Sequence, residues 1–177
     1  MVGGQHGMSV LKFLLEHLGR LKIHSIDLKY LVLKNCIVHC KLLKEHEETF
    51  KEKTEFLARI IENDGFLKDL ILVDARTFTI LDGHHRFKAL RKLGYEYILV
   101  FFVDYASPYV TVSTWRKDYH VTKEEVLKRA LTSKKYPPRT SKHRLVGVTI
   151  YPSFISLREL EKGSRYSTIE CYDEILL

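Results

Sequence analysis

The chain has 177 residues, of which 45% are hydrophobic and 29% charged, and its formal net charge is +7. That length suits one compact domain with a hydrophobic core of its own. No segment approaches the roughly 20 apolar residues that span a bilayer, so we expect no membrane association and a cytoplasmic location. The positive charge favours anionic partners, namely nucleic acids, nucleotides or phosphorylated metabolites, without choosing among them.

The cysteine and amide contents lead to two further expectations. Three cysteines, Cys36, Cys40 and Cys171, cannot all pair within one chain, and Cys36-x-x-x-Cys40 has no second ligand pair downstream. We therefore expect buried, unreactive thiols and no zinc site. One glutamine and two asparagines among many charged residues indicate a thermophilic source.

The first predicted elements are a helix and a strand. Leucines at helical spacing predict an amphipathic helix over 9–21, within an N-terminal helical extension that covers 1–30. A strand is expected within 30–38, where the catalytic domain begins.

A second helix is predicted from a capping box. Thr49 and Glu52 form the T-x-x-E pattern, so the helix should begin at Thr49 and end at Gly65. Glu47 and Glu48 then lie in the loop that enters this helix, which is a location suited to a functional carboxylate.

The middle of the chain alternates strands with one helix. A helix is predicted over 84–93, closed by Gly94. Buried or alternating apolar segments predict the strands, which are 70–73, 77–81, 98–103 and 110–115.

The last predicted elements follow a second capping box. Thr122 and Glu125 predict a helix through about 131, two prolines place 132–143 in a loop, and a final strand is expected over 145–150. The fold class is therefore α+β (mixed α/β), with a small mixed sheet flanked by helices and one domain over 31–177.

One motif carries the chemistry. Ile80-Leu81-Asp82 runs as a strand into Gly83, and a helix then opens with His84, His85 and Arg86. A helix N-terminus binds anions through its free N–H groups, glycine allows close approach, and arginine grips phosphate oxygens bidentately. Asp82 is placed either to cap the helix or to hold Mg²⁺ beside phosphates. The alternative is a plain helix cap followed by two surface histidines.

This motif resembles the signature of the ParB/sulfiredoxin-like superfamily. The likeness extends from His46-Glu47 through 65–73 to the Asp-Gly-His-His-Arg loop. Sulfiredoxins carry a reactive cysteine where this chain has His84, so that chemistry is excluded. Chromosome-partitioning ParB proteins carry a Gly-Glu-Arg-Arg loop and a helix-turn-helix domain, for which too little chain follows here.

Within that superfamily the chain is most similar to archaeal free L-serine kinases. The matching patches are His46-Glu47, the loop 82–86, Thr114-Trp115 and the late loop 139–143. The resemblance implies a free L-serine kinase that makes O-phospho-L-serine with Mg²⁺. The donor is ATP or ADP, and we favour ATP because it is the common donor.

The resemblance also implies roles for single residues. Glu47 is the general base, with Glu48 as the substitute, and Asp82 orients the substrate or holds Mg²⁺. Residues Gly83, His84, His85 and Arg86 cradle the nucleotide phosphates. The acceptor serine is bound by Trp115, Thr114, Thr140, Ser141, Lys142 and His143.

Two other functions compete with the kinase. The charge fits a ParB-like DNA-binding or nuclease module, whose affinity should fall steeply with salt. A nucleotide-hydrolysing switch would release phosphate whether or not serine is present. We rank both below the kinase and expect no nucleic-acid partner, while the oligomeric state is left open.

Overall fold

The computed structural model describes residues 34–147, 150, 152, 154–162 and 169–172. The predicted helix over 9–21, and with it the extension over 1–30, lies outside the described residues. Within the described part of the chain, none of the helices has the length and apolar character of a membrane span.

The centre of the domain is a five-stranded mixed sheet in the order β4-β3-β5-β1-β9. Strand β3 runs parallel to β5, whereas the β4–β3, β5–β1 and β1–β9 pairs are antiparallel. The strands are β1 (Lys34–His39), β3 (Ile71–Asp74), β4 (Ile80–Asp82), β5 (Tyr97–Val103) and β9 (Ile169–Tyr172).

Two short antiparallel ribbons complete the β-structure. One joins β2 (Phe66–Leu67) to β8 (Ile155–Ser156), and the other joins β6 (Val110–Thr114) to β7 (Ser141–Leu145). The second ribbon carries the late loop of the sequence beside β4, because β7 also contacts that strand.

Four helices flank the strands: α1 (Lys51–Asp64), α2 (His84–Lys92), α3 (Lys123–Thr132) and α4 (Leu157–Lys162). Helices α1 and α2 pack on each other. Helix α1 ends at Gly65, whose φ of 72° is left-handed, and α3 begins at Thr122, whose hydroxyl accepts the Glu125 N–H. Both of these predicted helix boundaries are confirmed.

The hydrophobic core is centred on β5. Every side chain from 98 to 103 is at most 4% exposed, which explains why this strand reads as an unbroken apolar run. Each fully buried Ile, Val or Phe of this kind contributes about 1.5–3 kcal/mol of stabilisation. This rigid strand lies beside β3, and β3 in turn holds β4 and the loop that follows it.

The predicted start of α1 and the predicted cap of α2 are wrong, whereas α2 begins at His84 as predicted. Helix α1 begins at Lys51 with Phe50 as its N-cap, because the Phe50 N–H donates to His85 Nε2 at 3.1 Å and the Thr49 capping box does not form. The N-cap of α2 is Gly83, so Asp82 ends β4 and does not cap the helix.

The prediction for the end of the chain also needs correction. The strand expected over 145–150 is instead β7, which begins at Ser141 inside the predicted loop. The expectation of idle thiols is wrong for two of the three cysteines. Cys36 and Cys171 lie directly opposite each other in β1 and β9 and form a disulfide, whereas Cys40 is a buried free thiol.

Candidate active site

The junction of β4 and α2 is shaped by Gly83. Its φ is +97°, a left-handed conformation, and an added Cβ would lie 3.1 Å from Ile71 Cγ1 and 3.1 Å from Arg86 Nη2. A larger residue is therefore disfavoured both by the backbone and by the space available. The first N–H groups of α2 have no partner within the helix, and residues 83–86 line a cavity that opens at this junction.

Two neighbouring cavities open at this junction and share Asp69, Asp82 and Arg86. The first has a volume of about 320 Å³ and contains the predicted phosphate loop. It is also lined by Glu47, Lys53, Trp115, Arg139 and Ser141. The second has a volume of about 430 Å³. Besides the three shared residues, its wall combines His143 and Arg144 with an apolar part formed by Leu70, Leu72, Phe101, Leu145 and Ile150.

Asp82 and Arg86 form an ion pair at the border between the cavities. Arg86 Nη2 lies 2.7 Å from Asp82 Oδ2, and the Asp82 side chain is 66% exposed. An exposed pair of this kind contributes little to stability, so both groups are free to exchange partners when a ligand arrives.

The two histidines of the motif differ in their environment. His84 is buried, its ring meets His46 edge-on at 4.6 Å between centroids, and burial holds its pKa well below the usual range. Its ring is therefore neutral and provides no positive charge to a phosphate. His85 is half-buried, with its ring stacked on Phe50, and burial lowers its pKa as well.

Glu47 is the most heavily hydrogen-bonded group of the site. Its buried carboxylate accepts backbone N–H groups from Arg139 at 2.7 Å, Thr140 at 3.1 Å and Ser141 at 2.8 Å. The Ser141 hydroxyl is also 2.9 Å from Glu47 Oε2. One carboxylate thus holds the turn that precedes β7, while the same residue lines the first cavity.

His46 lies behind Ser141 and is fully buried. Its Nε2 is 2.8 Å from Ser141 Oγ, and its Nδ1 is 2.7 Å from the Ile80 carbonyl oxygen. Burial holds the pKa of His46 well below its usual range.

The structure places only some of the predicted acceptor-binding residues on the wall of the first cavity. Trp115 and Ser141 line the first cavity, and Lys142 Nζ sits 3.7 Å from the centroid of the exposed Trp115 ring. Thr140 is fully buried and Thr114 donates to its carbonyl oxygen at 3.1 Å, so these two residues support the loop.

His143 faces the second cavity. Its Nε2 lies 2.8 Å from the Tyr105 hydroxyl, and burial of the imidazole lowers the pKa of His143 to about 3. It therefore lines the second cavity, which the sequence did not predict, and not the first cavity with Glu47.

Several lining residues were not predicted from the sequence as site residues, among them the charged Lys53, Asp69 and Arg139. Lys53 and Arg139 add positive charge to the first cavity, and Asp69 reaches both cavities. Lys53 looks like one of many exposed helix lysines, so only its position in the first turn of α1, close to the acidic loop, could have indicated a role.

The carboxylates fit a metal ion only together with a ligand. No group of three or more histidine, cysteine, aspartate or glutamate side chains able to hold a metal occurs among the described residues. Asp82 and Asp69 line the same two cavities, however. One or two carboxylates plus phosphate oxygens are the usual ligands of Mg²⁺, so this pair fits a Mg²⁺ that arrives with a nucleotide.

No protein-family model matches the chain. A ParB-like protein from Sulfolobus acidocaldarius is 34% identical over 77 residues, which are 44% of this chain and 38% of that protein. An ATP-dependent L-serine kinase from Desulfurococcus mucosus is 27% identical over 99 residues, 54% of this chain and 39% of the kinase. An ADP-dependent L-serine kinase from Thermococcus kodakarensis is 27% identical over 112 residues, 61% of this chain and 46% of the kinase. The chain thus spans less than half the length of these curated relatives.

Solved structures extend the likeness over most of the domain. A free serine kinase in complex with AMP aligns with a TM-score of 0.65 at 16% identity, covering 78% of this chain and 98% of that one. A free serine kinase variant in complex with ADP aligns with a TM-score of 0.64 at 16% identity, covering 78% and 99%. The chain has the fold of the free serine kinases.

This shared fold confirms two predictions made from the sequence. The α+β class is correct, and the resemblance to the ParB/sulfiredoxin-like superfamily near the free serine kinases is borne out by both sets of relatives.

Proposed function

We propose that this protein is a free L-serine kinase, which transfers the terminal phosphoryl group of a nucleotide to the serine hydroxyl and forms O-phospho-L-serine. One observation carries the proposal. A buried carboxylate, Glu47, and an anion-binding helix start, 83–86, line one cavity together with Trp115 and the turn at Arg139, although these residues are widely separated in sequence.

The phosphate side of the reaction belongs to the start of α2. Backbone N–H groups of the helix, the Arg86 guanidinium, Lys53 and Arg139 provide donors and positive charge around one volume. Phosphoryl transfer depends mainly on positioning and on charge stabilisation, and it needs little covalent chemistry from the protein. Arg86 would release Asp82 and bind phosphate oxygens, because a bidentate arginine–phosphate pair is stronger than the ion pair that it replaces.

The acceptor side belongs to Glu47 and Trp115. A serine hydroxyl is a weak nucleophile, so a base must take its proton as the oxygen attacks phosphorus. Glu47 is the carboxylate that is both buried and part of the first cavity wall. Glu48, the substitute candidate, is 56% exposed and pairs loosely with Lys135 at 3.9 Å, which favours Glu47.

The second cavity, whose wall is partly apolar and partly charged, suits the remainder of the nucleotide. Leu72, Phe101 and Leu145 offer surfaces for a flat base, and the cavity meets the phosphate loop at Asp82 and Arg86. We infer that the nucleotide enters from this side and that serine enters from the side of Trp115.

The donor and the metal ion complete the proposal. One curated relative is named ATP-dependent and another ADP-dependent, so both donors are candidates, and we keep ATP first. Mg²⁺ held by Asp82 and Asp69 would neutralise charge on the phosphates. The cytoplasmic location and the thermophilic source stay predictions from composition.

The proposal is tested by product formation. The purified protein is incubated with Mg²⁺ and L-serine, with ATP and ADP offered separately, and phosphoserine is measured by mass spectrometry. Threonine and homoserine replace serine in parallel reactions. We expect phosphoserine with one donor in the wild type and its loss in Glu47→Gln, whereas Glu48→Gln should retain activity.

The same preparations distinguish the competing functions. Absence of phosphoserine with both donors would contradict the kinase proposal. Phosphate release that ignores serine would then indicate a nucleotide-hydrolysing switch. Binding to duplex DNA that weakens steeply between 50 and 200 mM salt would indicate a ParB-like DNA-binding module, as the net charge of +7 allows.

A further inference from the structure

Three groups form a continuous hydrogen-bonded chain behind the wall of the first cavity. Ser141 Oγ lies 2.9 Å from Glu47 Oε2 and 2.8 Å from His46 Nε2. His46 Nδ1 lies 2.7 Å from the Ile80 carbonyl oxygen. The chain runs from a cavity-lining carboxylate to a fully buried imidazole, and each contact has the length of a good hydrogen bond.

A count of the protons shows that these hydrogen-bonded groups can hold one more proton. The Ile80 carbonyl can only accept, so Nδ1 of His46 carries a proton and Nε2 of the neutral ring is an acceptor. Ser141 has a single hydroxyl proton, which can serve either Glu47 or His46 but not both. When Glu47 is an anion, one of the two contacts of Ser141 Oγ therefore lacks a proton. One additional proton completes every hydrogen bond.

The surroundings of His46 allow it to hold this extra proton only briefly. Burial and nearby positive potential lower the pKa of His46. Its ring is buried and surrounded by other side chains, so an imidazolium there needs a compensating anion. Glu47 supplies that negative charge through Ser141. The facing titratable and charged groups are His84 at 4.6 Å, His143 at 5.5 Å, Tyr136 at 6.4 Å and, behind Tyr136, Arg129.

We propose that Ser141 and His46 act as positioning residues that form a proton relay behind Glu47. The inference rests on the proposed kinase function. Glu47 takes the proton of the acceptor hydroxyl and passes it to Ser141 Oγ, while the Ser141 proton moves to His46 Nε2. The acceptor oxygen bonds to the terminal phosphorus, and the bond from phosphorus to the bridging oxygen breaks with its electron pair on the departing nucleotide. The proton then returns through Ser141 and Glu47 to solvent.

The relay has a physical purpose at this site. Three backbone N–H groups donate to the Glu47 carboxylate and hold it in place. A second group beside a carboxylate held in this way can take the proton that it has collected. His46 lies two hydrogen bonds away and provides that second group.

Kinetics of matched variants test the relay. Ser141→Ala removes the hydroxyl but keeps the backbone N–H to Glu47, and His46→Gln keeps a polar group that cannot take a proton. Direct general bases contribute about 10²–10⁴-fold, so we expect kcat to fall by about 10-fold or more in both variants. The acidic limb of the kcat–pH profile should move in both, and nucleotide affinity should stay within about 2-fold. Ser141→Thr should restore rate and profile, and Ser113→Ala on the partner strand should change neither.

The relay would be overturned if Ser141→Ala and His46→Gln kept the wild-type kcat and the acidic limb of the profile while Glu47→Gln was inactive. That result would leave the kinase proposal intact. An inactive wild type would instead count against the proposed function, so a second readout is independent of turnover. The ¹⁵N shifts of His46 are followed against pH in the wild type, Glu47→Gln and Ser141→Ala. Coupling predicts that titration of His46 moves to lower pH without the Glu47 charge. An unmoved titration would contradict the relay.

Discussion

Glu47 and Ser141, which are 94 residues apart in sequence, are joined by a backbone hydrogen bond of 2.8 Å and a hydroxyl contact of 2.9 Å. This pair connects the loop before α1 to the first residue of β7. Both residues line the first cavity, and the hydrogen bonds between them give the proposed base a fixed orientation. The same contact therefore links the fold, the cavity and the proposed chemistry.

The first prediction concerns Gly83, with Gly94 as its matched control. Both have left-handed backbones, with φ of +97° and +89°, but an added Cβ meets atoms at 3.1 Å only at Gly83 and finds nothing within 4 Å at Gly94. Replacement by alanine should cost about 1–2 kcal/mol of unfolding free energy at either site. Only Gly83→Ala should also lose about 10-fold or more in nucleotide affinity, measured by calorimetry. Equal nucleotide affinity in the two variants would contradict a phosphate site at Gly83.

The second prediction uses the single tryptophan of the chain. Trp115 is 57% exposed and Tyr109, at the other end of the same strand, is 54% exposed. Trp115→Ala should raise KM for serine, while unfolding free energy should change by about 1 kcal/mol or less because the ring is on the surface. Tyr109→Ala should leave KM unchanged. Serine added to the nucleotide complex should alter Trp115 fluorescence, and a silent signal would place the acceptor elsewhere.

The third prediction is the pH dependence of stability. The folded pKa of His143 is about 3, below its ordinary value near 6.5 in the unfolded chain. The unfolded state thus binds more protons below pH 6.5, and stability should fall as pH falls from there toward 3. Each such histidine contributes a slope of up to about 1.4 kcal/mol per pH unit.

Two variants separate the proton from the hydrogen bond at this site. Urea unfolding between pH 4 and 7 should show a flatter slope in His143→Gln. Tyr105→Phe removes the 2.8 Å hydrogen bond but keeps the imidazole, so it should lower stability at all pH values with the slope retained. An unchanged slope in His143→Gln would contradict a buried neutral imidazole.

The fourth prediction concerns the disulfide. Cys36 and Cys171 close a loop with a sequence separation of 135 residues, which constrains the unfolded chain. Cys171→Ser should lower the unfolding free energy by about 2–4 kcal/mol without affecting phosphoserine formation. A reducing agent should bring the wild type to the same stability and leave the variant unchanged. An identical Tm for oxidised wild type and variant would count against the disulfide.

The parts of the fold with strong apolar periodicity could be predicted from the sequence. Strand β5 is apolar throughout and helix α3 begins at its capping box, so the local sequence is enough to predict each of them. The local sequence does not predict strand β7, because its residues Ser-Lys-His-Arg-Leu lie in a two-stranded ribbon, where four are partly buried and Arg144 is exposed, and they show no alternation. Strand β9 was missed for the same reason, since only its pairing with β1 defines it.

The candidate site shows the same division. The Asp-Gly-His-His-Arg motif located the phosphate loop, because a strand, a glycine and a helix start lie next to each other in sequence. No local pattern indicates that His46 is buried and bonded to Ser141 and Ile80, since those contacts bridge 95 and 34 residues. The start of α1 at Lys51 likewise depends on His85, a distant residue that takes the Phe50 N–H.

The most direct test of the central claim is to follow the terminal phosphate of labelled nucleotide in the presence and absence of L-serine. Wild-type protein with Mg²⁺ and ATP, or with ADP labelled at its β-phosphate, should transfer the label to phosphoserine, and transfer should require both serine and Glu47. Label that appears only as inorganic phosphate at a rate independent of serine, or no transfer from either donor, would contradict the account.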